Sequence, residues 1–141
     1  MPLLRTYDLF LSHAWKYNED YYRLERLLYG AVNFRWRNYS VPTHDPLIDP
    51  DSKVGRGLLL RRLDSQIRPV SCVLIISGIY VAHSNWIQDE IDIAVGKYNK
   101  PIIGIRPFGS IYIPTRVRQV ADDIVGWNTG SIVSAIRRCS R

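Results

Sequence analysis

An apolar run in the middle of the chain, SCVLIIS at residues 71–77, constrains the fold more than any other stretch. Its five inner residues are all apolar, without the alternation of a strand that has one face in water. Such a strand is typical of the centre of a parallel sheet covered by helices on both faces. The stretch at 84–97, SNWIQDEIDIAVGK, begins with polar residues that can cap a helix and continues with apolar residues at helical spacing. The sequence therefore predicts a buried strand followed by an amphipathic helix.

Strand patterns and helix patterns alternate along the rest of the chain. Strands are predicted at residues 7–12, 38–43, 71–77, 101–105 and 123–127. Helices are predicted after Asn18, over 55–68, over 84–97, over 115–121 and after Asn128 or Thr129, while residues 34–38 could extend the first helix or form a loop. This alternation predicts an α/β fold, a single doubly wound, flavodoxin-like, five-stranded parallel sheet of order 2-1-3-4-5 with helices on both faces.

The length and composition indicate one soluble domain. The 141 residues fit a single domain, 1–141, with 46% hydrophobic and 23% charged residues. No apolar run approaches the roughly 20 residues needed to span a bilayer, and the first residues lack the pattern of a signal peptide. We therefore expect a cytoplasmic protein with no membrane partner. The two cysteines, Cys72 and Cys139, are expected to be buried and reduced.

The chain is basic, with a formal net charge of +6 and a pI of about 9.5, which weakly favours an anionic ligand. The arginines form two clusters, at 56, 61, 62 and 68 and at 137, 138 and 141. Solvated helix faces explain these clusters better than a nucleic-acid interface does, because no aromatic residues are interleaved with them.

Polar residues follow the first three predicted strands, whose carboxyl ends meet at one edge of the sheet, where open α/β folds bind ligands. They are Ser12 and His13, then His44 and Asp45, then His83, Trp86 and Glu90. A metal site is one interpretation, but no short ligand spacing supports it, so no metal is predicted. The simpler alternative is that the histidines lie in surface loops and that Glu90 faces water.

Three phosphate-binding or phosphate-accepting motifs of related folds are missing from the sequence. The turn after the first strand, SHAWKYNED, contains no glycine, which argues against a dinucleotide-binding GxGxxG motif. No P-loop spacing is present, and the third strand ends in Ile-Ser-Gly rather than in the aspartate of a phosphoacceptor receiver.

Several segments resemble Toll/interleukin-1 receptor (TIR) domains. YDLFLSHAW resembles their first box, CVLIISGIYVAHSNWIQDEIDIA resembles their third strand and the helix after it, and NKPIIGI resembles their fourth strand. Gly126-Trp127 is similar to the late aromatic box. Among subfamilies, the chain looks most like the short prokaryotic TIR-like domains of Thoeris antiphage defence.

The resemblance implies an enzyme that consumes NAD+ as a substrate, without a cofactor. It would cut the nicotinamide–ribose bond and release ADP-ribose or a cyclic isomer, a signal for a separate effector protein. Glu90 aligns with the catalytic glutamate of the family and Trp86 with its motif tryptophan. Ser12 and His13 align with the loop near the nicotinamide and its ribose. Self-association on activation is also implied, because a neighbouring protomer often completes the site in this family.

Two other functions remain open. The loop after the second strand, HDPLIDPDSKVGRG, lacks the Arg-Asp-x-x-Pro-Gly box of receptor and adaptor TIR domains, which argues against a homotypic adaptor. A non-catalytic TIR-like protein-interaction module is nevertheless the main alternative, and a nucleoside-type N-glycosyl transferase is a further one. Glu90 at a pocket edge favours the enzymes, since a scaffold has no need of this carboxylate.

Overall fold

A computed structural model describes residues 5–12, 19–40, 53–76, 84–106 and 115–140 of the chain. The strands are β1 (Thr6–Leu11), β2 (Arg35–Asn38), β3 (Cys72–Ile76), β4 (Ile102–Ile105) and β5 (Asp123–Val125). They form one parallel sheet of order β2-β1-β3-β4-β5. The helices are α1 (Glu19–Tyr29), α2 (Lys53–Ile67), α3 (Ser84–Ile91), α4 (Thr115–Val120) and α5 (Thr129–Cys139). This architecture confirms the predicted doubly wound α/β fold and its strand order.

The centre of the sheet is buried on both faces, as the apolar run predicts. Every residue of β3 is inaccessible to solvent, and so is every residue with a side chain in β4. Burying one large aliphatic side chain contributes about 1.5–3 kcal/mol to folding. The two central strands therefore account for much of the core, and they can occupy only the middle of a sheet covered by helices.

The helices divide into two layers. On one face, α1 and α5 contact each other, and Tyr21, Leu24 and Leu28, which recur at helical spacing along α1, are buried. On the other face, α2 packs against α3 and against the segment that follows α3. α5 begins at Asn128, whose side chain accepts a hydrogen bond from the amide of Ser131 at 3.0 Å. Right-handed crossovers between parallel strands produce this arrangement of layers.

The second strand, predicted at residues 38–43, is wrong over residues 39–40, which are not strand, while residues 41–43 lie outside the described residues. β2 lies earlier in the chain and takes up most of the segment that was assigned to a helix extension or a loop. Only Trp36 of this strand is buried, while Arg35 and Arg37 on either side of it are exposed. Arg37 also donates a hydrogen bond of 2.6 Å to Asp8 on β1. An edge strand with one apolar residue gives a weak sequence pattern, so pairing with β1 decides its position.

The helix predicted over 84–97 is not a single α-helix. α3 ends at Ile91 and continues as a π-helical segment, Asp92–Lys97, in which the amide of Tyr98 donates to the carbonyl of Ile93 at 3.2 Å. Asn99 then turns the chain with a positive φ of 51°. In this wider turn, Lys97 and Tyr98 both donate hydrogen bonds to the Asp64 carboxylate of α2.

The cysteines, the ends of the elements and the lengths of the helices can also be compared with the sequence predictions. Cys72 is buried as predicted, whereas Cys139 is half-buried at the end of α5, so its predicted full burial is wrong. The ends of the other described elements differ from the prediction by one or two residues, which is ordinary fraying. No helix in the described ranges has the length and apolar character that a membrane span requires.

Gly104 of β4 and Gly57 of α2 provide a matched test of the packing. A Cβ atom at Gly104 would lie 3.0 Å from Cγ1 of Val117 on α4, whereas a Cβ at Gly57 meets nothing within 4 Å. Gly104→Ala should lower the free energy of unfolding by about 1–3 kcal/mol through overpacking. Gly57→Ala should raise it by about 0.5–1 kcal/mol, because glycine is unfavourable inside a helix. Urea unfolding of both variants measures this difference, and equal effects would contradict the described packing of α4 on β4.

Candidate active site

The Glu90 carboxylate and the Ser12 hydroxyl meet in the interior at the carboxyl end of β1. Ser12 directly follows β1, and its amide donates to the carbonyl of Leu74 on β3 at 2.8 Å. Its Oγ donates a hydrogen bond to Oε2 of Glu90 on α3. Ser12 is 0% and Glu90 is 1% exposed, and among the described residues these are the buried polar side chains. The structure therefore brings together two of the site residues that the sequence predicts.

The alternative in which Glu90 faces water is wrong. Glu90 lies directly before the fully buried Ile91, and Ala94, four residues further on, is also fully buried. Burying a carboxylate is costly unless hydrogen bonds compensate for the lost water. The Ser12 hydroxyl supplies such a bond, and bonds to ionised groups are about twice as strong as bonds between neutral groups. One bond that compensates for the burial of Glu90 thus comes from a residue 78 positions earlier in the chain.

The chemistry available here is that of a carboxyl group held at the ligand-binding edge of an α/β sheet. The Ser12 hydroxyl is a neutral donor, so it orients one carboxylate oxygen without neutralising the carboxylate. A carboxylate in a low-dielectric site interacts more strongly with nearby charge than it would in water. Such a group can stabilise positive charge that develops on a bound substrate.

A second polar group lies at the carboxyl end of β2, and the sequence analysis missed it. We call it the β2-edge cluster; it consists of Tyr21, Glu25, Asn38 and Ser40. Asn38 Nδ2 donates to the Tyr21 hydroxyl at 3.0 Å and to Glu25 Oε2 at 2.9 Å. Asn38 Oδ1 accepts from the Ser40 amide at 2.8 Å, and Ser40 Oγ accepts from the Leu11 amide at 2.9 Å. Asn38 ends β2, so a correctly placed second strand would have identified it as an edge residue.

Burial is the main influence on the Tyr21 hydroxyl in this cluster. It raises the pKa of Tyr21 above the usual value for a phenol, while hydrogen bonds to Ser40 and Asn38 lower that pKa. The net effect is a raised pKa, so Tyr21 stays protonated at neutral pH. The phenol therefore serves the cluster as a neutral hydrogen-bonding group.

The remaining predicted site residues cannot be related to this geometry. His13, His44, Asp45 and His83 lie outside the described residues, and so does the side chain of Trp86, whose backbone belongs to α3 one turn before Glu90. Within the described ranges, no group of three or more His, Cys, Asp or Glu side chains is arranged to hold a metal ion. The described part of the site consists of Ser12, Glu90 and the β2-edge cluster.

The strand order defines a flavodoxin-like α/β protein, and this fold is consistent with a TIR-like domain that has a buried acid at the carboxyl edge of its sheet. Comparison with protein families narrows this class. Residues 10–110 match the family described as Thoeris protein ThsB, TIR-like domain. The chain therefore belongs to this family, a TIR-like family of Thoeris antiphage defence. The match includes both Ser12 and Glu90, and a comparison with curated proteins gave no match.

A double-mutant cycle tests the coupling of Ser12 to Glu90. Ser12→Ala, Glu90→Ala and the double variant should show a coupling free energy of about 1.5–3 kcal/mol in urea unfolding, as expected for a hydrogen bond to a charged group. Ser65→Ala is the control, because the Ser65 hydroxyl donates to the backbone of its own helix at 3.1 Å. Its combination with Glu90→Ala should be additive within about 0.5 kcal/mol. Additive effects of Ser12→Ala and Glu90→Ala would contradict the described pair.

Proposed function

We propose that this protein consumes NAD+ by cleaving its nicotinamide–ribose bond and releases ADP-ribose or a cyclic isomer as a signal in antiphage defence. The observation that carries the proposal is the buried Glu90 carboxylate, which Ser12 holds at the carboxyl edge of the sheet. Membership of the Thoeris TIR-like family supports the defence role. A scaffold that acts only through its surface would gain nothing from burying this carboxylate.

The reaction suits a site that has one carboxylate. In NAD+ the nicotinamide is a cationic pyridinium, so the electron pair of the breaking bond leaves it as a neutral molecule. The leaving group therefore needs no proton, unlike that of an ordinary glycoside, for which a second carboxyl group acts as the acid. The ribose carbon becomes oxocarbenium-like, and Glu90 stabilises the positive charge that develops there. Water then attacks this carbon, or a nucleophilic atom of the same ADP-ribose attacks it and closes a ring.

Ser12 acts in this proposal as a positioning residue. Its hydroxyl fixes Oε2 of Glu90 and so orients the carboxylate towards the ribose. Trp86 and His13 would wall the nicotinamide side, and His44, Asp45 and His83 would contact the substrate from the neighbouring loops. The proposed reaction needs no cofactor, because NAD+ itself is the substrate. A separate effector protein would bind the released nucleotide, and self-association on activation would complete the assembly.

Glu90→Gln is the direct test of the proposed chemistry, because it keeps the shape of the side chain and removes its charge. Nucleotides are extracted from cells that express the wild type or the variant, with and without phage, and are separated by mass. We expect NAD+ to fall, and an ADP-ribose isomer to appear, in infected wild-type cells, with a loss of at least about 100-fold in the variant from missing transition-state stabilisation. Asp92→Asn is the control, because the Asp92 side chain is 60% exposed two residues further on, and it should behave as the wild type.

Other results of the same experiment would select an alternative function. If the wild type protects cells while NAD+ and ADP-ribose stay constant in every culture, the protein is an interaction module. If the NAD+ pool stays constant while free bases accumulate from nucleosides, the protein is a nucleoside-type N-glycosyl transferase. If Glu90→Gln and the wild type consume NAD+ equally, Glu90 does not carry the chemistry.

A further inference from the structure

The β2-edge cluster and the Ser12–Glu90 pair lie on opposite sides of the end of β1. The Leu11 amide donates towards β2, to Ser40 Oγ at 2.9 Å, and the next amide, that of Ser12, donates towards β3, to Leu74 at 2.8 Å. β2 and β3 are the two neighbours of β1 in the sheet. Neighbouring strands are about 4.8 Å apart, so β2 and β3 lie about 10 Å apart on either side of β1, and the two polar groups lie at the same edge of the sheet.

Asn38 organises the cluster. Both protons of its amide nitrogen are used, one towards Tyr21 at 3.0 Å and one towards Glu25 at 2.9 Å, and its oxygen accepts from the backbone of Ser40 at 2.8 Å. These three bonds fix the plane of the amide and leave it no capacity to donate further. The amide therefore holds Glu25 in place rather than binding a ligand itself.

Glu25 is the member of the β2-edge cluster that can accept further hydrogen bonds. A carboxylate offers about four acceptor positions, and the Asn38 amide occupies one of them. The side chain is half-buried on α1, and within the described ranges no Lys or Arg lies within ion-pair distance of it. A half-buried carboxyl group whose partner is a neutral amide has acceptor positions left for hydroxyl donors.

A ligand with two adjacent hydroxyl groups is the one that suits the Glu25 carboxylate best. In dinucleotide-binding α/β folds, an acidic residue near the end of the second strand accepts hydrogen bonds from the hydroxyl groups of a ribose. Glu25 reaches the same place in this fold from α1, because Asn38 ends β2. A dinucleotide contains two riboses joined by a diphosphate, and the described part of the edge has Glu25 on one side of β1 and Glu90 on the other.

We propose that Glu25, held by Asn38 and Tyr21, binds the adenosine ribose of the dinucleotide through its two hydroxyl groups while Glu90 faces the nicotinamide ribose. This proposal rests on the proposed function, because it assumes that the bound ligand is NAD+. It adds a specificity rule: a phosphate on the 2′-hydroxyl would remove a donor and place negative charge beside Glu25, so 2′-phosphorylated ligands bind weakly.

Calorimetric titration of the purified chain with uncleaved ligands tests this subsite. The probes are ADP-ribose, which contains the adenosine ribose, ADP-ribose 2′-phosphate, and nicotinamide mononucleotide, which lacks the adenosine. Glu25→Gln should weaken ADP-ribose binding roughly tenfold or more, the loss expected for hydrogen bonds to a charged acceptor. It should leave nicotinamide mononucleotide binding unchanged and should reduce the preference of the wild type for ADP-ribose over its 2′-phosphate. Asp92→Asn, which removes one exposed carboxylate elsewhere, should change none of these affinities.

The outcomes separate this subsite from the proposed function. Equal weakening of ADP-ribose and nicotinamide mononucleotide by Glu25→Gln, or no weakening of either, overturns the subsite. If Glu25→Gln does not fold, Glu25→Asp, which keeps the charge but shortens the reach, must show the same selective loss for ADP-ribose. Selective loss without NAD+ consumption in infected cells overturns the enzyme and leaves the ribose subsite. NAD+ consumption in infected cells without a selective loss for ADP-ribose overturns the ribose subsite and leaves the enzyme. A wild type that binds none of the probes overturns the enzyme and the subsite together.

Discussion

The carboxylate of Glu90 is nearly inaccessible to water, and this burial sets the strictest requirement on the structure around it. A buried charge must be hydrogen-bonded, because desolvation otherwise costs more than folding can supply. The donor is the hydroxyl of Ser12, which directly follows β1, and Glu90 lies on the helix after β3. Only a sheet in which β1 and β3 are neighbours brings the two together. The strand order and the polar pair therefore depend on each other.

The end of β1 is the point around which the ligand-binding edge is built. The amide of its last residue, Leu11, and the amide of the following Ser12 donate in opposite directions, one to a serine side chain beyond β2 and one to the backbone of β3. This alternation is a property of any strand with neighbours on both sides. Its consequence here is that polar groups from the two helical layers, α1 on one face and α3 on the other, meet at one edge. A long ligand that crosses the edge would contact both.

The parts of the structure that the sequence predicted well are those with strong local patterns. β3 is apolar throughout, and the buried residues of α1 recur at helical spacing. Hydrophobic burial drives both, so the pattern of side chains reports the structure directly. β2 has a single apolar residue between two arginines, and its place is decided by pairing with β1. The π-helical segment after α3 ends in contacts of Lys97 and Tyr98 with Asp64, which no local pattern reveals.

For the site, the sequence determined that Ser12 and Glu90 both follow strands of a parallel sheet, and the resemblance of the motifs identified the family. The tertiary structure decided that Glu90 is buried rather than in water, and that Ser12 is its donor. It also decided that Glu25 joins the same edge through Asn38. These contacts join residues 78 and 13 positions apart. Periodicity along a chain specifies which face of an element is apolar, but a hydrogen bond between elements forms only when the sheet order brings its donor and acceptor together.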